Sequence, residues 1–193
     1  MQREYEALAI RELGAGAGFR RPTQAQAAKV TIESPALEVM TDLKLTPPAT
    51  IRPQAPLAGA NQFMIVRGVR LLLVVDEREE VLGVISATDI LGERPMRVAT
   101  ERGMRRDDLV VADIMIPAEQ VEVVALEEVT HARVGHVLET LRRGGRQHAL
   151  VLDGERMVRG IFSLSQVARQ LGVSVSTGGE VARTFSEIEL AIR

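Results

Sequence analysis

Two stretches of the chain are versions of one another. GVRLLLVVDEREEVLGVIS begins at Gly68 and GRQHALVLDGERMVRGIFS begins at Gly145, an offset of 77 residues with no gap. Gly68 matches Gly145, Leu73 matches Leu150, Val74 matches Val151 and Asp76 matches Asp153. Val81 matches Val158, Gly83 matches Gly160 and Ser86 matches Ser163. The matches fall on turn glycines, strand apolars and the serine after the strand, where backbone geometry and burial restrict the choice of residue most. Upstream, LEVMTD at 37–42 resembles VADIMIP at 111–117, with Met40 and Met115 offset by 75. A two-residue indel between the segments accounts for the difference. Whatever one repeat builds, the other builds too. Each repeat, at roughly 60 residues, is too small to bury a full core alone, so the two must share burial. The expectation is two repeats packed sheet to sheet about a pseudo-two-fold axis.

Each repeat reads as strand, helix, strand, strand, helix. Leu71 to Val75 and Ala149 to Leu152 are short apolar runs, fit for strands buried on both faces. Polar turns follow at 76–80 and 153–156, and Val81 to Ile85 and Met157 to Phe162 are the returning strands of two hairpins. Before the second hairpin, Val134, Val137, Leu138 and Leu141 make a helical stripe. Thr130 is the expected cap of that helix, and Gly144 or Gly145 its end. Leu57, Ala60 and Met64 form the matching stripe in the first repeat, ended by Gly68. A short helix around Met40 or Met115 leads into each repeat, with Ser34 and Pro35 placed as cap and first helical residue of the former.

Composition excludes several classes of function. The net charge of −2 from 24 basic and 26 acidic residues argues against a nucleic-acid or membrane-surface binder. Cysteine is absent, which removes disulfides, thiolate metal sites and cysteine nucleophiles. The charged N-terminal stretch MQREYEALAIREL has no signal-peptide core, and no run approaches the roughly 20 apolar residues that span a bilayer, so the expected location is the cytoplasm. His131 and His136 are five apart and do not share a helical face, so no metal site is expected. There is no Walker loop, nucleophile elbow or catalytic carboxylate pair, and no catalytic residue is expected. GAGAG at 14–18 follows no predicted strand and reads as a flexible link.

The chemistry that remains is GVISATDI at 83–90. Ser86, Thr88 and Asp89 stand where a strand gives way to a helix. They can serve as a cap, the commonest use of Ser and Asp at such a place, or they can hold a ligand.

The duplicated elements resemble a tandem pair of cystathionine β-synthase (CBS) domains, a Bateman module. The lead-ins LEVM and VADIM, the strands LLVVD and ALVLD, and the ends GVISATD and GIFSLSQ carry the likeness, over roughly 35–172. It implies an α+β class of α/β type, with two β-α-β-β-α repeats at 34–95 and 111–172 joined by 96–110. Residues 1–33 form an N-terminal extension with a short helix striped by Tyr5, Leu8, Ala9 and Leu13. Residues 173–193 form a C-terminal amphipathic helix striped by Val181, Phe185, Ile188 and Ile192. In family members that bind adenine nucleotides, the aspartate of the glycine, serine, aspartate pattern holds both ribose hydroxyls. Gly83, Ser86 and Asp89 match that pattern. An ionised carboxylate offers two acceptor oxygens to the two donors of a cis-diol, and a helix N-terminus favours a phosphate.

The resemblance also implies that the other repeat completes the site. Val121 and Val123 would then sandwich the base, and Arg146, Gln147 and His148 would stand at the phosphates, with Arg142 and Arg143 as weaker candidates that also suit a helix end. A weaker second site would use Thr50, Arg70, Ser163 and Gln166. There Gln166 replaces the aspartate with a neutral amide, which argues against an equivalent site.

Two classes of function follow. One is a regulatory module that senses AMP, ADP, ATP, S-adenosylmethionine or another adenosine compound, with no further cofactor, and passes occupancy to a separate partner protein. The other is a structural or dimerisation module without a physiological ligand. Asp89 favours the first and Gln166 keeps the second open. A homodimer is expected in either case.

Overall fold

The computed structural model describes residues 30–173 and 185–188. After a 3-10 turn at Ala36–Val39 come strands β1 (Thr41–Asp42) and β2 (Thr50–Ile51), helix α1 (Leu57–Arg67), strands β3 (Leu71–Val75) and β4 (Val81–Ser86), and helices α2 (Ala87–Leu91) and α3 (Arg94–Arg102). The second half runs α4 (Val111–Ile114), β5 (Ile116–Pro117), β6 (Val123–Ala125), α5 (Leu126–His131), α6 (Val134–Arg143), β7 (His148–Leu152), β8 (Val158–Ser163) and α7 (Leu164–Gln170). The strand, helix, strand, strand, helix order is present in both halves, with one extra short helix in the second.

Two four-stranded sheets result, β2-β3-β4-β5 and β1-β8-β7-β6. In each, the strand before the helix runs parallel to the first hairpin strand, which leaves room for the helical crossover. The two lead-ins cross over. β1, from the start of the chain, pairs antiparallel with β8, so that Thr41 faces Ile161 and Asp42 faces Gly160. β5 returns to β4, with Gly83 facing Pro117 and Val84 facing Ile116. Each sheet is thus completed by the lead-in of the other repeat.

That crossing explains one matched pair of glycines. A β-carbon on Gly83 would collide with the carbonyl oxygen of Ile116, and one on Gly160 would collide with the buried side chain of Met40. Glycine is required where another chain segment approaches this closely.

A second matched pair, Asp76 and Asp153, organises the hairpin tips. One carboxylate oxygen of Asp76 accepts from the N–H groups of Arg78 at 2.9 Å and Glu80 at 2.8 Å. Asp153 does the same for Glu155 at 3.0 Å and Met157 at 2.9 Å. Such carboxylate-to-backbone bonds satisfy turn donors that the ladder leaves open.

The core lies in three layers. All of Leu71–Val75 is buried. Its alternate side chains go to opposite faces, as the strand period requires. Leu72 and Val74 meet Leu57, Ala60 and Met64 of α1. Leu71, Leu73 and Val75 face the other way and pack with Val84 and with Leu150 of the second sheet. This middle layer is where the sheets meet face to face, as expected for repeats that share burial. The outer layer of the second half joins Val134, Val137, Leu138 and Leu141 of α6 to Val151, Phe162 and the crossed-over Ala36, Val39 and Met40.

Phe185 and Ile188 are buried in the same cluster. Val181 and Ile192 of the expected C-terminal stripe, the expected N-terminal helix and the GAGAG link lie outside the described residues. No described helix is long and apolar enough to cross a membrane.

Two expected caps are corrected. Thr130 lies inside α5, its hydroxyl donating to the Glu127 carbonyl at 2.6 Å. α6 instead starts after Arg133, whose N–H donates to His136 Nδ1 at 3.0 Å. The helical stripe was placed correctly, but a break at Ala132 moves the cap three residues on. Ser34 does not cap the first lead-in either: that lead-in is a 3-10 turn flanked by Pro35, and the Ser34 hydroxyl accepts from the Thr31 N–H at 3.0 Å.

Candidate functional site

The end of β4 turns directly into α2, and Ser86 makes the turn with an extended backbone. Its hydroxyl accepts from the Asp89 N–H at 3.3 Å, while Asp89 Oδ2 accepts from the Ser86 N–H at 2.8 Å and from the Ser86 hydroxyl at 2.5 Å. This reciprocal arrangement is a capping box. The cap reading of this stretch is therefore realised. It occupies Oδ2 only: no hydrogen bond from a described residue reaches Oδ1. Asp89 is half-buried and Thr88 is exposed.

The same turn faces the second repeat. Thr88 Oγ1 donates to Gln147 Oε1 at 3.3 Å, joining the start of α2 to the approach to β7. Between them lies a cleft of about 430 Å³, within the range of small-molecule sites. Leu71, Val84, Ile116, Val121 and Leu150 give it apolar walls from both sheets. Ser86, Thr88 and Asp89 stand at one side, and Gly145, Arg146, Gln147 and His148 at the other. Seven of the eight expected residues of the first site thus line one cleft. Val123, the eighth, does not: it is 44% exposed and lines neighbouring grooves.

The electrostatics differ from the expectation at the phosphate end. Burial, helped by the nearby Arg70 cation, lowers the pKa of His148 to about 4. Its imidazole is neutral at pH 7 and meets an anion only as a neutral donor. Arg146 is paired with Glu122, Nη2 to Oε2 at 3.1 Å. Two of the first three amides of α2 are also in use, since Ala87 N–H donates to the Arg70 carbonyl at 2.9 Å and Asp89 N–H to Ser86. Arg142 and Arg143 do not line the cleft; both are held by Glu139, which they keep ionised down to a pKa of about 2.

Three polar lining residues escaped the sequence reading: Arg94, Gln120 and Glu122. Arg94 follows a chain reversal at Gly92, and its guanidinium donates to the Met115 carbonyl at 3.3 Å. Gln120 and Glu122 arrive on the segment between β5 and β6, brought in by the crossed lead-in. Their signal was their adjacency to Val121, the residue expected at the base.

The second set of residues is built differently. Gln166 Oε1 accepts from Thr41 Oγ1 at 3.1 Å, so the residue in place of aspartate ties down the crossed-over β1. Ser163 makes no capping bond to the backbone of α7 and shares a hydrogen bond with Ser165 at 3.1 Å. Thr50 is exposed on β2, and the Nε of Arg70 is buried with no hydrogen-bond partner. Among the described residues, no group of three His, Cys, Asp or Glu side chains is placed to hold a metal ion.

Residues 36–95 match the family model of the CBS domain. No curated protein matches the chain. Among solved structures, an uncharacterized conserved protein from Pyrococcus horikoshii is similar at a TM-score of 0.56 and 21% identity, over 77% of this chain and 100% of that one. The CBS domain pair of protein MJ0100, solved in complex with 5′-methylthioadenosine and S-adenosyl-L-methionine, is similar at 0.52 and 20% identity, over 72% and 96%. CBSX2 from Arabidopsis thaliana, solved in complex with AMP, is similar at 0.50 and 20% identity, over 72% and 94%. Residues 36–95 are similar to the CBS domain, and the chain has the fold of a CBS-domain pair.

Proposed function

We propose that the chain is a regulatory module that binds an adenine nucleotide or related adenosine compound in the cleft at Ser86 and Asp89. The observation that carries this reading is the half-buried Asp89 carboxylate, with Oδ1 open, at the edge of a cleft walled by apolar side chains of both repeats. A ribose cis-diol donates to that carboxylate, and the flat apolar base fills the space beside Val121 and Leu71. The two CBS-pair proteins solved with adenosine compounds support the same class of ligand. A ligand in this cleft touches the start of α2 in one repeat and the start of β7 in the other. Occupancy therefore biases how the two halves sit together, and a partner protein reads that bias.

The capping box favours a second reading, a structural or dimerisation module, in which Ser86 and Asp89 only start a helix. Substitution at Asp89 separates the two. Asp89→Asn keeps an acceptor for the Ser86 N–H but loses the charge. On the ligand reading it weakens AMP or 5′-methylthioadenosine binding at least about tenfold, since a charge-assisted bond is worth roughly 1.5–3 kcal/mol, and leaves the melting temperature nearly unchanged. Calorimetric titration beside melting curves checks this. Unchanged affinity is the result for a cap alone, and Asp89→Ala, which removes the acceptor, then lowers the melting temperature.

The same reading makes the protein a homodimer. Phe63, Ile65 and Val66 leave an apolar face of α1 exposed at 36%, 64% and 72%, and apolar surface of this kind marks an interaction site. Light scattering at micromolar concentration should give twice the chain mass; a monomer mass contradicts it.

A further inference from the structure

The charges around the cleft narrow its ligand further, on the reading that this is an adenosine site. Besides His148, four of the described ionisable side chains line it: the carboxylates of Asp89 and Glu122, and the guanidiniums of Arg94 and Arg146. They balance. Arg146 is already paired with Glu122, and Arg94 is oriented by a bond from Nη2 to the Met115 carbonyl. His148 adds no positive charge at pH 7, as its pKa of about 4 places it in the neutral form. Arg70 acts on His148 but does not line the cleft. Two of the first three amides of α2, those of Ala87 and Asp89, are already donated within the protein. Among the described residues, no lysine lines the cleft.

We infer that the cleft takes an adenosine compound of low net charge, a nucleoside thioether or a monophosphate, and rejects the triphosphate, with Glu122 as the residue that sets the rejection. A monophosphate is met by one guanidinium. Its exposed pair with Glu122 is weak and opens at little cost, since the Glu122 side chain is 80% exposed. A triphosphate brings further negative charge against Glu122, into a lining whose described charges already balance. Specificity of this kind comes from repulsion of the wrong ligand as much as from attraction of the right one. Removal of Glu122 should therefore act more on ligands that carry several phosphates than on an uncharged nucleoside.

The test is calorimetric titration of the full chain with 5′-methylthioadenosine, AMP and ATP, the last with and without Mg²⁺, for wild type and Glu122→Gln. The expected result is ATP binding at least tenfold weaker than AMP to wild type. Glu122→Gln should narrow that ratio at least threefold by strengthening ATP more than AMP, and should change the affinity for ATP more than that for 5′-methylthioadenosine. ATP binding as tightly as AMP to wild type, or a ratio that Glu122→Gln does not move, overturns the inference and leaves the adenosine site standing. Failure of all three compounds to bind overturns the adenosine reading itself, and the inference with it.

Discussion

His148 shows how position decides what a residue does. The sequence places it at the expected phosphate end, where a protonated imidazole would be useful. Folding buries it near Arg70, and the charged form is penalised on both counts. Its folded pKa of about 4 lies below the model-peptide value of 6.5. The unfolded chain therefore binds the proton first as pH falls. The stability held by neutral His148 is complete above about pH 6.5 and is lost as pH falls through 4, on the order of 3 kcal/mol in all. Denaturant melts of wild type and His148→Gln across this window should converge as pH falls, because only wild type carries the extra loss. Parallel curves would contradict the assigned burial. Asp89 was legible because Gly83, Ser86 and Asp89 form a local pattern. The neutrality of His148 was not, because it depends on Arg70, a residue 78 positions away in the chain.

Elements were legible where local pattern decides them. The hairpins follow from apolar runs around the Asp76 and Asp153 turns, and β3 was readable as buried on both faces because all five of its residues are apolar. Periodicity encodes burial but not which sheet does the burying, so the crossing of the lead-ins had no local signal. For the same reason Arg94 and Glu122 were missed, since both reach the cleft through that crossing or a chain reversal. Val123 was misplaced because alternation along a strand was extended back to Val121, which precedes β6 and follows a 3-10 turn. The crossing makes a prediction of its own. At Gly83 the obstacle to a side chain is rigid backbone, and at Gly160 it is the end of Met40, a flexible side chain. Gly83→Ala should cost about 2–4 kcal/mol and Gly160→Ala about 1–2 kcal/mol, by the scale of overpacking, read as shifts in denaturant midpoint. Equal costs, or a larger one at Gly160, would contradict the assigned packing.

At the scale of the whole molecule, each core is complete only when the other repeat supplies its edge. Ile114 and Val111 are fully buried against the first half, and Ala36 and Val39 against the second. A fragment spanning 43–121 contains the first core with its own α4 and β5; one spanning 34–110 lacks both and carries an orphaned β1. The first should melt cooperatively and the second should not, by circular dichroism. The reverse outcome would mean that the crossed lead-ins are dispensable. The same arrangement builds the cleft, because Asp89 comes from one sheet's hairpin and Gln147 and His148 from the other's. The central claim is that this shared cleft is an adenosine site. It is tested most directly by a crystal structure of the protein with AMP. The account predicts the ribose hydroxyls on the Asp89 carboxylate and the adenine between the apolar walls near Val121. AMP bound elsewhere with this cleft empty would contradict it.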